Sequence, residues 1–347
     1  MSTSTTYGWI HRVWYEDAGW GVLLLPFSGL YWLVIVIRKY LYERGVLRTH
    51  RAAVPVVVVG NITAGGTGKT PTVVWLVEEL RKRGFSPGVV SRGYGGAFSG
   101  TSMRVEPDSN AAVVGDEPVL LARRARCPVV VDPDRVRASK MLVEDGVDVI
   151  VTDDGLQHYR LGRDYEICVV DGKRGLGNRR LLPGGPLRER PQRLDDVEQV
   201  LVNGRLSGDQ YVLTNAEQNA IVFDLVAHDA HRLNGSLARP LERFAGTTVH
   251  AVAAIGNPQR FFDLLRSRDI QIIEHRFPDH ATLESGALDF GDNFEVFMTE
   301  KDAVKLGRAM KDKYWYVPVD VEMDVVDAAP MLEQIESRLR AARGGSG

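Results

Sequence analysis

The sequence predicts an α/β fold built around a doubly wound parallel sheet. Short apolar runs rich in β-branched residues recur along the chain, helical segments separate them, and one run leads into a glycine-rich loop that opens a helix. Near-continuous apolar strands are typical of a parallel sheet covered on both faces, and their alternation with helices is typical of doubly wound folds. The predicted strands are 56–59, 87–90, 128–131, 147–152, 166–170, 197–202, 249–255, 270–274, 294–298 and 315–319.

The glycine-rich loop lies in VPVVVVGNITAGGTGKTP, residues 54–71. Its glycines let backbone N–H groups turn inward around phosphate oxygens, while Lys69 reaches the terminal phosphates and the Thr70 hydroxyl is placed for Mg²⁺. Thr63 stands where the strict motif has glycine, so the loop is a variant, and a glycine turn without a ligand is the alternative. We predict a P-loop NTPase-like domain. Its nucleotide-binding residues are Thr63, Ala64, Gly65, Gly66, Thr67, Gly68, Lys69 and Thr70.

Two acids, Asp153 and Asp154, follow an apolar strand directly. In a phosphate-loop protein, a carboxylate at this place organises Mg²⁺ directly or through water. An Asp-Asp-Gly turn without a ligand is the alternative. His158 lies on the same rim, where a structural hydrogen bond and a phosphate contact are equally open.

There are four further candidates, and three of them have a structural alternative. Asp116, in GDEP (115–118), suits a helix N-cap better than a proton acceptor for a substrate hydroxyl when the residues alone are weighed. His280 is a single histidine in the loop RFPDH (276–280), and such histidines are usually structural. Arg92, in SRGYGG (91–96), is placed to hold a phosphate. Glu189 is the one acid in a basic run, which fits either a salt bridge or a metal ligand.

The N-terminal segment has the composition of a membrane-associating helix. Residues 18–37 form a stretch of 20 residues without a formal charge, rich in aromatic residues and followed by Arg38 and Lys39. The basic flank favours a cytoplasmic position for the rest of the chain. An interfacial helix, a spanning helix and a core helix all fit this pattern, and the break at Pro26 and Ser28 favours the interfacial one.

Composition limits the partners and suggests the domain organisation. The 347 residues carry a formal net charge of −2, which gives no general attraction to nucleic acid. Residues 172–193 hold seven lysines and arginines, which fit a solvated face or a surface for an anionic substrate or lipid. We predict an N-terminal helix over 1–45, a nucleotide-binding domain over 46–205, a second, smaller α/β domain over 206–328, and a C-terminal helix and tail over 329–347.

Seven motifs, taken in order, resemble those of the tetraacyldisaccharide 4′-kinase family of lipid A biosynthesis. They are GNITAGGTGKTP (60–71), SRGYGG (91–96), GDEP (115–118), TDDGLQH (152–158), LPGGPLRE (182–189), FPDH (277–280) and TEKDAVK (299–305). The resemblance implies transfer of the γ-phosphate of ATP, with Mg²⁺, to the 4′-hydroxyl of tetraacyldisaccharide 1-phosphate. It also implies a nucleotide bound between two lobes. We further predict a monomer at the cytoplasmic face of the bacterial inner membrane.

The resemblance further implies roles for single residues. Asp116 becomes the catalytic base, with His280 as its partner. Thr70, Asp154 and Glu189 are placed at the metal, and Asp153 supports them. Phosphate or substrate contacts fall to Arg92, His158 and Arg188.

Two other functions fit parts of the sequence. A membrane-associated phosphate-loop ATPase that acts as a partitioning or assembly factor also carries a GGTGKT loop, but its ATP turnover would ignore an acylated disaccharide phosphate. A soluble ligase-type synthetase is a weaker alternative, because the apolar N-terminal segment disfavours it.

Overall fold

The computed structural model describes residues 10, 12–16, 19–97, 100–205, 220–279, 281, 283, 285–306 and 312–344. Two sheets carry the fold, one of nine strands and one of six. The predicted α/β class is confirmed, and each of the ten predicted strands is present with its ends shifted by a few residues.

The larger sheet has the strand order β15-β8-β7-β6-β1-β5-β2-β4-β3. Its strands pair in parallel from β8 to β4, and an antiparallel strand closes each edge. The bounds are β1 Val56–Gly60, β2 Pro87–Ser91, β3 Met103–Arg104, β4 Val129–Val131, β5 Val149–Asp153, β6 Tyr165–Asp171, β7 Gln199–Asn203, β8 Ala220–Val226 and β15 Asp320–Met323.

Helices cover both faces of this sheet, as the buried apolar strands require. One face packs against α2 (Lys69–Lys82), α4 (Asp116–Ala125) and the C-terminal helix α9 (Val325–Gly344). The other face packs against α5 (Arg135–Glu144) and the segment that follows β6. Two single-turn helices, α3 (Ala111–Val114) and α6 (Arg193–Asp196), complete this lobe.

The smaller sheet forms a second lobe with the order β10-β9-β14-β13-β11-β12. Its strands are β9 Asp229–Arg232, β10 Ala238–Pro240, β11 Thr248–Ala253, β12 Gln271–Arg276, β13 Glu295–Thr299 and β14 Tyr314–Val317. Its helices are α7 (Pro258–Ser267) and α8 (Glu300–Ala303), and 3₁₀ turns lie at Leu241–Phe244 and Ser285–Leu288. The rings of Phe244, Phe297 and Trp315 pack together in its core.

The sheets divide the chain differently from the predicted 206–328 segment. Strands β8 and β15 lie inside that segment, yet both belong to the larger sheet, where they pair with each other. The second lobe is therefore inserted between two strands of the first. β15 is the edge strand and alternates polar with apolar residues, whereas β8, the next strand in, has an apolar run over 220–223 that Asp224 interrupts.

The N-terminal helix α1 (Leu25–Glu43) follows a 3₁₀ turn at Gly19–Leu24. The stretch Gly21–Glu43 is long and apolar enough to cross a membrane, and only 11% of its most apolar part is buried. Leu30, Leu33 and Val34 are exposed along it. These exposures contradict the core-helix alternative, because a core helix would bury its apolar side chains.

Candidate active site

A cavity of about 960 Å³ lies between the two lobes, beyond the carboxyl ends of the larger sheet. Parallel sheets of this kind bind ligands at that edge. Residues predicted from the sequence that line the cavity are Ala64, Gly65, Gly66, Thr67, Gly68, Lys69, Thr70, Arg92, Asp153, Asp154 and Arg188. Thr63, Asp116, His158 and Glu189 are not part of this first layer of lining residues, and His280 falls outside the described residues.

The glycine-rich loop connects β1 to α2, as predicted. Gly68 has φ +102°, a left-handed conformation that glycine adopts without steric cost. A Cβ at Gly68 would lie 2.6 Å from Nδ2 of Asn203, which donates a hydrogen bond to the Thr67 carbonyl over 2.9 Å. Asn203 ends β7, so the strand-end rule used for Asp153 and Asp154 would also have found it.

Asp154 lies between two cations at the end of β5. Its carboxylate is 3.6 Å from Nζ of Lys69 and accepts hydrogen bonds of 2.9 and 3.0 Å from Nη1 of Arg188. Burial opposes ionisation, but Lys69 and Arg188 together hold the pKa of Asp154 well below its usual range. Asp154 is therefore an anion at neutral pH, and the three motifs that contain these residues meet at one point.

Asp153 is buried, and its two carboxylate oxygens have no hydrogen-bond partner among the described residues. Burial and the nearby charge of Glu117 raise its pKa to about 7, against the opposing charge of Lys69. The buried guanidinium of Arg135 donates to the backbone carbonyls of Asp153 and Asp154 over 2.8 and 2.9 Å. Arg135 thus fixes the strand end, although an arginine at the start of a helix carries no sequence signal for this role.

Asp116 is the first residue of α4 and is 5% exposed. The N-cap position belongs to Gly115, so the capping interpretation does not apply in its predicted form. One Asp116 oxygen accepts a hydrogen bond from the Glu117 N–H over 2.9 Å, and Nζ of Lys305 lies 3.6 Å from the other oxygen. Asp302 holds Lys305 in place over 2.8 Å.

The motif TEKDAVK (299–305) brings the second lobe to α4, a role that the sequence did not reveal. Lys301 pairs with Glu117 over 2.9 Å, and both residues line the cavity beside Asp116. Burial opposes the charge of Lys301, but Glu117 raises its pKa above the usual range. Arg124 of α4 also pairs with Glu300 over 2.8 Å. The partners in these pairs are far apart in the sequence, so the spacing of residues within one motif does not predict them.

Glu189 faces a polar cluster behind the cavity. It accepts hydrogen bonds of 2.7 Å from both Gln157 and Tyr159, and Nε of Arg193 is 3.5 Å away. Within the described part of the chain, no group of three or more His, Cys, Asp or Glu side chains is arranged around a metal position. The metal role of Glu189 stays a prediction.

Comparisons with known proteins show the family to which the chain belongs. The family model described as "Tetraacyldisaccharide-1-P 4'-kinase" matches residues 20–340. Tetraacyldisaccharide 4'-kinase of Nitrosococcus oceani is 47% identical over 328 residues, which cover 94% of each chain. The enzyme of that name from Alkalilimnicola ehrlichii is 50% identical over 297 residues, covering 86% of this chain and 87% of its own.

A solved structure gives the same result for the fold. The crystal structure of LpxK from Aquifex aeolicus, described as an "apo" form in complex with ATP, superposes with a TM-score of 0.75 at 27% identity. The match covers 92% of this chain and 99% of the other. The resemblance drawn from the seven motifs is confirmed: the chain belongs to the tetraacyldisaccharide 4′-kinase family.

Proposed function

We propose that the cavity between the lobes performs the reaction of the family, with Asp116 as the base. The chain is an ATP-dependent lipid A 4′-kinase by family membership, and the acceptor is the 4′-hydroxyl of tetraacyldisaccharide 1-phosphate. The observation that supports the assignment of the base is its position. Asp116 lies directly beside Glu117 and Lys301, which line the same cavity as Lys69 and Asp154.

The residues at the end of β5 fit Mg²⁺, which the kinase requires together with ATP. Mg²⁺ prefers oxygen ligands and usually binds through one or two carboxylates together with substrate phosphates and water. Asp153 offers buried carboxylate oxygens that lack a protein partner among the described residues, and the carboxylate of Asp154 and the hydroxyl of Thr70 lie on the same cavity wall. When bound, the ion offsets charge on the phosphate oxygens.

The protein groups around the acceptor carry the proton and the charge. A sugar hydroxyl is a weak nucleophile, so a carboxylate at Asp116 takes its proton as the new P–O bond forms and the bond to the leaving ADP oxygen breaks. Lys69 offsets the negative charge of the transferred group. The pairs between α8 and α4 hold the lobes together, which supports exclusion of water from the reaction.

Association with the cytoplasmic face of the inner membrane is also part of the proposal. The exposed apolar residues of α1 support it, and so does the basic flank Arg38 and Lys39. Ser28 and Tyr31 lie near the middle of the apolar stretch 18–37, and both are hydrogen-bonded to the catalytic lobe. This favours a helix that lies along the membrane surface over one that crosses it, because a crossing helix would have its middle inside the bilayer. We also propose that the protein acts as a monomer.

The substitution Asp116→Asn tests the base. It keeps the size of the side chain but removes its capacity to take a proton, so we expect transfer to fall by about 10²–10⁴-fold. ATP binding should stay nearly normal. Labelled phosphate transfer from ATP to the purified lipid acceptor measures the first, and calorimetric titration with a non-hydrolysable ATP analogue measures the second.

Asp108→Asn is the matched control, because Asp108 is exposed on the same lobe. Near-normal transfer by Asp116→Asn would show that another group accepts the proton. ATP turnover by the native protein that does not respond to the lipid acceptor would instead favour a partner-driven ATPase.

A further inference from the structure

The N-terminal helix is joined to the catalytic lobe at one buried point. Ser28 is 7% exposed, whereas Phe27 and Leu30 on the same helix are each 62% exposed. Its hydroxyl donates to the Leu181 carbonyl over 2.9 Å and accepts from the Gly184 N–H over 3.0 Å. A Cβ at Gly184 would lie 2.8 Å from the serine oxygen, so this contact requires a glycine in the loop.

A second contact lies one helical turn further along the same face. The Tyr31 hydroxyl donates to the Arg188 carbonyl over 3.0 Å. The side chain of Tyr31 also lines the cavity. Residues 28 and 31 are neighbours on a helix surface because three residues make nearly one turn. Helix α1 therefore binds both ends of the loop 181–188 through backbone groups of the loop.

The same loop is bound to the phosphate site on its other side. The Arg188 N–H donates to the Ile62 carbonyl, and the Ala64 N–H donates to the Pro186 carbonyl, each over 2.7 Å. The Arg188 guanidinium holds Asp154. A continuous path of hydrogen bonds thus runs from Tyr31 through Arg188 to the carboxylate beside Lys69.

We propose that Ser28 and Tyr31 are positioning residues, which set the loop 181–188 and with it Arg188 and the phosphate loop. The hydrogen bonds between α1 and this loop then determine the rate of phosphoryl transfer. This effect is separate from any role of α1 in membrane binding. The inference rests on the proposed function, because it concerns the same site. It assigns a catalytic consequence to a helix whose composition suggests only an anchor.

Tyr31→Phe tests the proposal, with Tyr40→Phe as the matched control. Each substitution removes one hydroxyl from α1 and keeps the ring. Tyr40 is 51% exposed and lies nine residues further along the same helix. Loss of the Tyr31 bond should lower kcat about fivefold. KM for the lipid acceptor and co-sedimentation with anionic phospholipid vesicles should match those of Tyr40→Phe.

Ser28→Ala provides a second variant, and it should lower kcat in the same way because the Gly184 N–H loses its partner. Equal kcat values in Tyr31→Phe, Ser28→Ala and the control would overturn the proposal. So would a rise in KM for the lipid with kcat unchanged, because that result makes Tyr31 a substrate contact. If the native protein itself fails to phosphorylate the lipid, it is the proposed function that fails.

Discussion

The imidazole of His158 has a strongly perturbed pKa for a residue outside the first layer of the cavity. Burial, together with the charges of Arg135 and Arg163, lowers its pKa to about 4 from 6.5, and Asp134 opposes this only in part. Between about pH 4 and pH 6.5, the imidazole therefore binds a proton in the unfolded chain but not in the native state. Native stability should fall as the pH falls through the range between these two values.

Replacing His158 by Gln should remove this dependence. Between about pH 7 and about pH 4.5, we expect the native protein to lose about 2 kcal/mol more of its free energy of unfolding than the variant loses. Urea unfolding at a series of pH values measures the difference. His228→Gln, at an exposed position, is the control and should keep the native slope. Parallel slopes for the native protein and His158→Gln would contradict the prediction.

Single residues could be predicted from the sequence where a motif encodes their chemistry. Lys69, Asp154 and Arg188 come from three motifs, and in the structure the Asp154 carboxylate lies 3.6 Å from Lys69 and 2.9 Å from Arg188. Arg135 and Lys301 could not be predicted, because their partners are distant in sequence and any exposed helix carries similar residues. The roles of Glu189 and His280 stay predictions.

The loops 91–96 and 113–116 meet backbone to backbone next to Asp116. Gly115 has φ +94°, and a Cβ there would lie 2.7 Å from the Tyr94 carbonyl oxygen. A Cβ at Gly96 would lie 2.3 Å from the Val113 carbonyl oxygen. The glycines of SRGYGG and GDEP thus allow these two loops to touch, and the contact sets where α4 begins.

Gly115→Ala should separate the two loops and displace Asp116. We expect a loss of transfer activity of about tenfold or more, together with about 2 kcal/mol or more of stability. Gly84→Ala is the control: Gly84 also has positive φ, +80°, but its added Cβ would meet nothing within 4 Å. The control should lose about 1–2 kcal/mol and keep its activity. Transfer assays and urea unfolding of both variants separate the strain of positive φ from the clash with the Tyr94 carbonyl. Equal transfer activity in Gly115→Ala and Gly84→Ala would contradict the assigned contact.

Central elements could be predicted from the sequence better than edge elements. Strands such as β1 and β5 are buried on both faces, so they read as unbroken apolar runs. Strand β15 alternates polar with apolar residues and β3 has only two residues, so neither carries that signal, and the apolar run of β8 is short because Asp224 interrupts it. The sequence also shows where glycine frees the backbone, but it does not show which atoms approach there.

At the scale of the whole molecule, two short connections carry the chain into the second lobe and back. Residues 227–228 follow β8, and residues 318–319 precede β15. Strands β8 and β15 pair with each other so that Val226 lies opposite Asp320. Both connections therefore lie side by side at the edge where the cavity opens. The ion pairs of Lys301 with Glu117 and of Arg124 with Glu300 link the lobes across it. The second lobe is thus attached to the first by two adjacent connections and by these ion pairs.

The outer face of α1 is where the molecule would meet the membrane, and Leu30→Gln tests it. Leu30 is 62% exposed, so its replacement should leave the fold and the Ser28 and Tyr31 contacts intact. Transfer of a leucine side chain into an apolar phase contributes about 1.5–3 kcal/mol, so vesicle binding should weaken about tenfold. Co-sedimentation with anionic vesicles measures this, while transfer to a detergent-dispersed acceptor should stay near normal. Val326→Gln, at a 78% exposed site on α9, should bind vesicles like the native protein. Unchanged binding by Leu30→Gln would mean that another surface faces the membrane. Removal of residues 1–45 is a less direct test, because it would also break the Tyr31 contact with Arg188.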